Sequence, residues 1–302
     1  MKIVYMGTPA FAVPPLERLY NDGHDIVAVF TQPDRPRSRG MKVTYSPVKE
    51  LALKHNSQVF QPLSLRDRAA ISILEELTFD LIVVVAYGKI LPAEILSIPP
   101  LGAINIHASL LPKYRGAAPI QWAVINGEAE TGVTSMYMSE QLDTGDIILT
   151  KKTPIGKTET SGELMDRLAS LGAELLSETV VALAAGTATR TVQDHASATF
   201  APLLSRDLSP INWNDSAVNI RCKILGLSPW PGATTELKGT TYKIFTVDIG
   251  QMQTSKKPGE IIFAGNDGIE IACADGSIII KDLQAPGGKR MSAADHIKGN
   301  PF

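Results

Sequence analysis

The alternation of short apolar runs with helical patterns in the first half of the chain constrains the fold most strongly. The apolar runs predict strands at residues 2–6, 26–30, 81–86, 103–107 and 132–138. The run LIVVVA at 81–86 is continuously apolar, as is typical of strands covered on both faces. Helical patterns between the runs predict helices at 14–21, 46–55, 66–76 and 117–125, and a longer helix at 162–185. This β-α-β order predicts an α/β domain over residues 1–188, with a Rossmann-like, doubly wound, mainly parallel sheet.

The character of the sequence changes after Gly186. Residues 189–207 are mixed, polar and weakly periodic, which predicts a linker. Beyond it, strands are predicted at 241–248, 260–264, 268–272 and 277–281, separated by glycine-containing turns typical of hairpins. About five short strands in this stretch predict a small OB-like β-barrel domain over residues 208–302.

Composition and charge exclude several classes of protein. With 302 residues, 20% of them charged, and a net charge of −2, the chain is neither disordered nor strongly basic, so a nucleic acid would need a local basic patch. The two cysteines, Cys222 and Cys273, are too isolated for a zinc site, and no metal is expected. No apolar run approaches the ~18–20 residues of a membrane span, and the N-terminal run breaks at Gly7 and Pro9. We therefore expect a cytoplasmic protein without a membrane partner.

Three polar residues could carry chemistry. Asn105 and His107 lie two apart at the end of a predicted strand, so both side chains point from one face. Asp143, in the turn LDTGD after the next strand, could reach the same edge of the sheet. An amide and an imidazole can hold an oxyanion and move a proton, and a carboxylate can orient the imidazole. The alternatives are structural strand-end residues and an Asx-type turn.

A short basic segment follows the second predicted strand. Arg35, Arg37, Arg39 and Lys42 lie close to a single acid, Asp34, among prolines and glycine. Such a segment suits phosphate contacts, although a solvated surface loop is the commoner role of short charge runs.

Residues 104–112 and the LDTGDI segment together resemble the formyltetrahydrofolate-dependent formyltransferase family. The resemblance implies that Asn105, His107 and Asp143 are catalytic and that 10-formyltetrahydrofolate is the formyl donor. It also implies a folate pocket built from two segments. The implied pocket residues are Ser109, Leu110, Leu111, Pro112, Val84, Ala86, Tyr87, Gly88, Ile90 and Leu91.

Further segments resemble the members of this family that formylate methionine on initiator tRNA. They are residues 6–14, 31–36, 39–40, 46–49, 115–120 and 229–233. The resemblance implies initiator methionyl-tRNA as acceptor, with Arg39 as its main contact in the basic segment, beside Arg35 and Lys42. It also implies a C-terminal domain that assists tRNA binding. We expect a monomer.

Three alternatives differ in activity. A related formyltransferase would act on an amino sugar or a purine precursor. A formyltetrahydrofolate hydrolase would use water in place of the amine. An RNA-binding protein would retain the fold without catalysis, although binding alone would not require Asn105, His107 and Asp143 together.

Overall fold

The computed structural model describes residues 1–37, 42–250 and 255–301, and it divides the chain into two compact units. The first unit comprises Met1–Gly116, Gly132–Thr153 and Met165–Phe200. The second comprises Ala117–Thr131, Pro154–Leu164 and the chain from Ala201 onward. Among the described residues, no helix is both long enough and apolar enough to cross a membrane.

Strands and helices alternate in the first half of the chain, and strands predominate near its C-terminal end. The strands are β1 (Lys2–Gly7), β2 (Asp25–Phe30), β3 (Arg35–Arg37), β4 (Lys42–Thr44), β5 (Val59–Phe60), β6 (Leu81–Val85), β7 (Ala103–His107), β8 (Arg115–Gly116), β9 (Glu130–Tyr137), β10 (Ile147–Pro154), β11 (Phe200–Ala201), β12 (Ala233–Leu237), β13 (Thr240–Ile249), β14 (Ile261–Gly265), β15 (Gly268–Cys273), β16 (Gly276–Gln284) and β17 (Met291–Ser292). The helices are α1 (Val13–Asn21), α2 (Pro47–Lys54), α3 (Arg68–Glu76), α4 (Ala93–Leu96), α5 (Pro119–Ile125), α6 (Ser161–Ala184), α7 (Ala217–Gly226) and α8 (Ala293–Gly299).

A seven-stranded sheet with the order β10-β9-β7-β6-β1-β2-β5 forms the centre of the first unit. β1 pairs in parallel with β2 and β6, β6 pairs in parallel with β7, and every residue of β6 is buried. The predicted mainly parallel α/β fold is therefore confirmed. β9 is an exception, since it runs antiparallel to β7. This sheet places the carboxyl ends of β6 and β7 side by side, and open α/β sheets bind ligands at such ends.

An antiparallel sheet with the order β12-β13-β16-β15-β14 forms the second unit, and β17 pairs with β16. The four strands predicted here are confirmed within a few residues. Helices α7 and α8 and strands β12 and β17 were not predicted. Ile220 and Ile224 of α7 are buried in one cluster with Ile244, Ile278 and Ile280, so α7 supplies part of the core of this unit.

The long helix α6 begins with the capping pattern that its sequence contains. The Thr160 N–H donates to Glu163 Oε2 at 2.8 Å, and the Glu163 N–H donates to Thr160 Oγ1 at 3.2 Å. The two bonds satisfy backbone donors that a helix start leaves free. The hydrogen bond from the Thr160 backbone is the main cause that lowers the pKa of Glu163.

Candidate active site

Asn105 and His107 lie on β7 with their side chains on the same face, as the period of a strand requires. Asn105 pairs with Met136 of β9, and His107 pairs with Thr134. The Asn105 carboxamide is half-buried and makes no hydrogen bond to any residue that the structure describes. Its N–H groups are therefore available to a ligand.

His107 is buried and held in one orientation. Its Nε2 lies 2.9 Å from the carbonyl oxygen of Tyr114, which can only accept, so Nε2 carries a proton and donates. Its Nδ1 lies 3.7 Å from Asp143 Oδ2, within ion-pair distance but beyond hydrogen-bond distance. Nδ1 is therefore the ring nitrogen that can exchange a proton.

A strained turn presents Asp143 to His107. Asp143 is buried and has a φ of 53°, in the left-handed region that non-glycine residues rarely adopt. The Gly116 N–H donates to Asp143 Oδ2 at 2.8 Å. A Cβ on Gly145 would lie 1.7 Å from the Tyr137 carbonyl oxygen, so this turn requires glycine there. Asp146 lies near Arg190 instead, with 3.6 Å between Oδ2 and Nη1.

The loop after β7 is fixed by hydrogen bonds between its own atoms and β9. The Ser109 hydroxyl donates to the Lys113 carbonyl at 2.6 Å. Thr134 Oγ1 donates to the Ser109 carbonyl at 2.7 Å and accepts from the Leu111 N–H at 3.2 Å. Ser109 and Leu111 are buried, whereas Leu110 and Pro112 are half-buried. Within the 109–112 segment, the latter two side chains can reach a ligand.

Residues 84–91, at the end of β6 and beyond it, divide into buried and exposed residues. Val84, Tyr87 and Leu91 are buried in one hydrophobic core cluster of the first unit. Ala86, Gly88 and Ile90 are exposed. Ala86 and Gly88 both have positive φ, which turns the backbone sharply beside β7. The Tyr87 hydroxyl has no hydrogen-bond partner among the described residues, and burial raises its pKa to about 12.

The basic segment starts as a hairpin. Arg35 on β3 and Lys42 on β4 belong to two antiparallel strands, with Arg37 paired to Lys42. Arg39 lies outside the described residues. At the base of the hairpin, Lys49 Nζ lies 2.5 Å from Asp34 Oδ2.

Gln61 completes the network at the hairpin base. It donates to Asp34 Oδ1 at 2.9 Å and accepts from Lys49 Nζ at 2.7 Å. Burial raises the pKa of Asp34, but hydrogen bonds from Lys49 and Gln61 outweigh burial, so the pKa is lowered. Asp34 therefore carries a negative charge at neutral pH.

Sequence reasoning missed two buried residues next to Asp143. The side-chain N–H groups of Gln193 donate to the carbonyls of Asp143 and Gly145, and the Arg115 guanidinium donates to the side-chain oxygen of Gln193. Gln193 lies in the predicted linker, and no local pattern there indicates its role. Arg115 lies in one of the segments that resemble the family, but its neighbours in sequence indicate no role for its side chain. Among the described residues, no group of three or more His, Cys, Asp or Glu side chains could hold a metal ion.

Both family models that match the chain describe formyl transferases. The model "Formyl transferase" matches residues 1–180, and the model "Formyl transferase, C-terminal domain" matches residues 204–301. The methionyl-tRNA formyltransferase of Alkaliphilus oremlandii is 50% identical over 300 residues, covering 99% of this chain and 97% of that protein. The methionyl-tRNA formyltransferase of Trichlorobacter lovleyi is 50% identical over 301 residues, covering 100% of this chain and 95% of that protein.

Solved structures share the fold at lower identity. The N-formyltransferase of Helicobacter canadensis, in complex with folinic acid and dTDP-3-aminofucose, superposes with a TM-score of 0.69 at 20% identity, covering 96% of this chain and 100% of that chain. HypX from Aquifex aeolicus in complex with tetrahydrofolic acid gives a TM-score of 0.67 at 18% identity. That match covers 98% of this chain, which spans 47% of the HypX chain. At these identities the likeness concerns the fold alone.

Proposed function

The chain belongs to the formyl transferase family, and on that premise we propose that it transfers a formyl group from 10-formyltetrahydrofolate to the amino group of methionyl-initiator tRNA. The observation that carries the proposal is identity of about half the residues over the whole chain to proteins named methionyl-tRNA formyltransferase. The product is N-formylmethionyl-tRNA, which serves translation initiation. The proposed location is the cytoplasm, and the proposed form is a monomer.

The reaction begins with a neutral amine. A free α-amino group has a reference pKa of about 7.7–8.0, so part of the acceptor is unprotonated at neutral pH. Its nitrogen attacks the formyl carbon, a new C–N bond forms, and the formyl oxygen gains negative charge. The bond from carbon to the folate nitrogen then breaks, and that nitrogen takes a proton while the amine nitrogen loses one. No covalent bond to the protein is needed.

Asn105 and His107 would stabilise the negatively charged oxygen. The free Asn105 carboxamide can donate an N–H, and a protonated His107 can donate from Nδ1, because its Nε2 is already bonded to Tyr114. Donors directed at the site where charge develops lower the barrier most. Asp143 Oδ2, 3.7 Å from Nδ1, would compensate the positive charge of a protonated imidazole and can accept the amine proton directly or through water.

The substrates would contact two further regions. For the folate we propose residues 109–112 and residues 84–91, where Leu110, Pro112, Ala86, Gly88 and Ile90 are at least partly exposed. For the tRNA we propose Arg35, Arg39 and Lys42, with assistance from the second unit. The Lys49–Asp34–Gln61 network supports this proposal because it secures the base of the hairpin.

The test is formyl transfer from labelled 10-formyltetrahydrofolate to methionine-charged initiator tRNA. Free methionine and uncharged tRNA are the controls. Label on the charged tRNA alone supports the proposal. Donor consumption without formylated tRNA would indicate the hydrolase or a formyltransferase with a small amine acceptor. Salt-sensitive tRNA binding without donor consumption would indicate a binding protein.

A further inference from the structure

The turn that presents Asp143 depends on a residue 50 positions further along the chain. Gln193 is 4% exposed, and its side-chain amide donates one hydrogen bond to the Asp143 carbonyl at 3.0 Å and another to the Gly145 carbonyl at 2.7 Å. Both N–H groups of the amide are therefore used on two carbonyls of one turn. These bonds oppose relaxation of Asp143 from its left-handed conformation, which is unfavourable for an aspartate.

Arg115 fixes the direction in which that amide points. Its Nε and Nη2 donate to Gln193 Oε1 at 3.2 and 2.6 Å. Because a guanidinium only donates, Oε1 must face Arg115 and the amide nitrogen must face the turn. Arg115 Nη2 also lies 3.0 Å from His195 Nδ1.

The residue after Arg115 also contacts Asp143, through a hydrogen bond to its carboxylate. Arg115 precedes Gly116, whose N–H donates to Asp143 Oδ2 at 2.8 Å. The carboxylate is thus held directly by Gly116, and the backbone of its turn is held by Gln193, whose side chain Arg115 orients. Arg115 itself is 4% exposed, and no carboxylate pairs with it in the part of the chain that the structure describes. A buried arginine without a carboxylate partner is uncommon, and hydrogen bonding to Gln193 compensates part of the cost of its burial.

We infer that Gln193 is a positioning residue for formyl transfer, oriented by Arg115, that keeps the Asp143 carboxylate beside His107. The inference rests on the proposed function. It implies that residues 189–207 do more than join two domains, because this stretch contributes a residue that supports the catalytic turn.

The decisive variant is Gln193→Glu. A glutamate keeps an acceptor for Arg115 but loses both N–H donors, and its carboxylate faces two carbonyl oxygens. Gln141→Glu is the matched control, because it adds the same charge two residues before Asp143, on an exposed side chain. We expect kcat to fall about 10- to 100-fold in Gln193→Glu, because the variant misplaces Asp143. The KM for each substrate should stay within about threefold of the wild-type value, because substrate binding is not altered. Gln141→Glu should keep kcat within about twofold.

Two further measurements separate positioning from general destabilisation. In an Asp143→Asn background, adding Gln193→Glu should cost less than about threefold in kcat, because a residue that acts through Asp143 has nothing left to position. Hydrogen exchange of the amides at 143–146 should be faster in Gln193→Glu than in wild type. If Gln193→Glu does not fold, Arg115→Lys tests the same link, since an ammonium cannot make the paired bonds to Oε1.

Each outcome separates this inference from the proposed function. Wild-type protein that does not formylate methionyl-tRNA contradicts the proposed function, and hydrogen exchange still decides whether Gln193 holds the turn. Active wild type with an unimpaired Gln193→Glu variant overturns the inference alone. Two other results would also overturn the inference. One is a loss of kcat on adding Gln193→Glu to Asp143→Asn that is as large as the loss in the wild-type background. The other is unchanged hydrogen exchange of the amides at 143–146.

Discussion

At the scale of single residues, the proposed site consists of one free donor and one restrained pair. Asn105 has no protein partner among the described residues, whereas His107 is held by Tyr114 and Asp143 is held by Gly116. A preorganised donor and a fixed imidazole need little rearrangement when charge develops on the substrate. Because Asn105 makes no hydrogen bond to the described residues, we predict that it can be replaced with little effect on the free energy of unfolding.

We expect Asn105→Ala to reduce kcat about 10²- to 10³-fold while the protein remains folded, because one oxyanion donor is lost. Single-turnover formylation of methionyl-tRNA measures the rate, and thermal melting measures folding. Asn126→Ala, at the end of α5, is a control for the same truncation. Near-wild-type turnover by folded Asn105→Ala would exclude Asn105 as the oxyanion donor.

Gly145→Ala should destabilise the protein by about 3 kcal/mol, because a new Cβ would lie 1.7 Å from the Tyr137 carbonyl oxygen and overpacking costs about 1–3 kcal/mol. Urea denaturation gives the free energy of unfolding. Gly299→Ala is the control, since a Cβ there meets nothing within 4 Å. Equal stabilities of the two variants would contradict the close approach at Gly145.

At the scale of elements, the hairpin of β3 and β4 depends on charges at its base. The Lys49–Asp34 pair is only partly exposed, with 14% and 19% of the side chains accessible, so solvent screens it less than an ordinary surface pair. Helix α2 begins directly after Ser46, whose side chain accepts from the Lys49 N–H. The N-cap thus places Lys49 beside the hairpin, and its side chain links α2 to Asp34.

We expect the stabilising effect of Asp34 to disappear in acid. Its pKa is lowered below the ordinary value of 3.8, so its contribution is complete above pH 3.8 and is lost as pH falls through the lower folded-state pKa. The difference in unfolding free energy between wild type and Asp34→Asn should be constant from about pH 5 to 7 and shrink below about pH 4. Urea titrations across this range test it, with Asp67→Asn as control. A difference that persists undiminished at pH 3 would contradict the prediction.

At the scale of the whole molecule, the net charge of −2 and the pI near 6.2 give the protein no general attraction for nucleic acid. Any binding to phosphates must therefore come from a few positively charged side chains, because the protein as a whole carries a net negative charge. The salt dependence of such binding is set by the number of these contacts.

We expect the logarithm of kcat/KM for tRNA to fall with the logarithm of salt concentration with a slope of about −2 to −3, as three cationic contacts at Arg35, Arg39 and Lys42 would give. Arg39→Ala should reduce the magnitude of this slope by about 1. Arg68→Ala is the control, because Arg68 is exposed and paired with Glu75. An unchanged slope in Arg39→Ala would exclude a phosphate contact there, and a slope near −10 would indicate a much broader basic surface.

Local patterns were sufficient for much of the fold. The predicted strand 103–107 agrees with β7 at both ends, because the alternation of apolar and polar residues at 104–107 is a short-range signal of a strand. Helix α7 was missed, since small and polar residues such as Cys222 and Gly226 lie among its apolar positions. Gly226 is needed there because a Cβ would lie 2.4 Å from Ile125. A capping serine, Ser216, and the spacing of Ile220 and Ile224 were the available signals.

The sequence by itself determined that Asn105 and His107 share one face, because the strand period of two residues is a property of neighbouring residues. It also indicated the mainly parallel sheet through the alternation of strands and helices. Only the tertiary structure decided that β9 runs antiparallel to β7 and that Gln193 and Arg115 hold the turn of Asp143. The reason is physical: strand direction and the Gln193 contacts depend on how distant segments are brought together, and no local periodicity records the route of the chain between residues 50 to 80 positions apart.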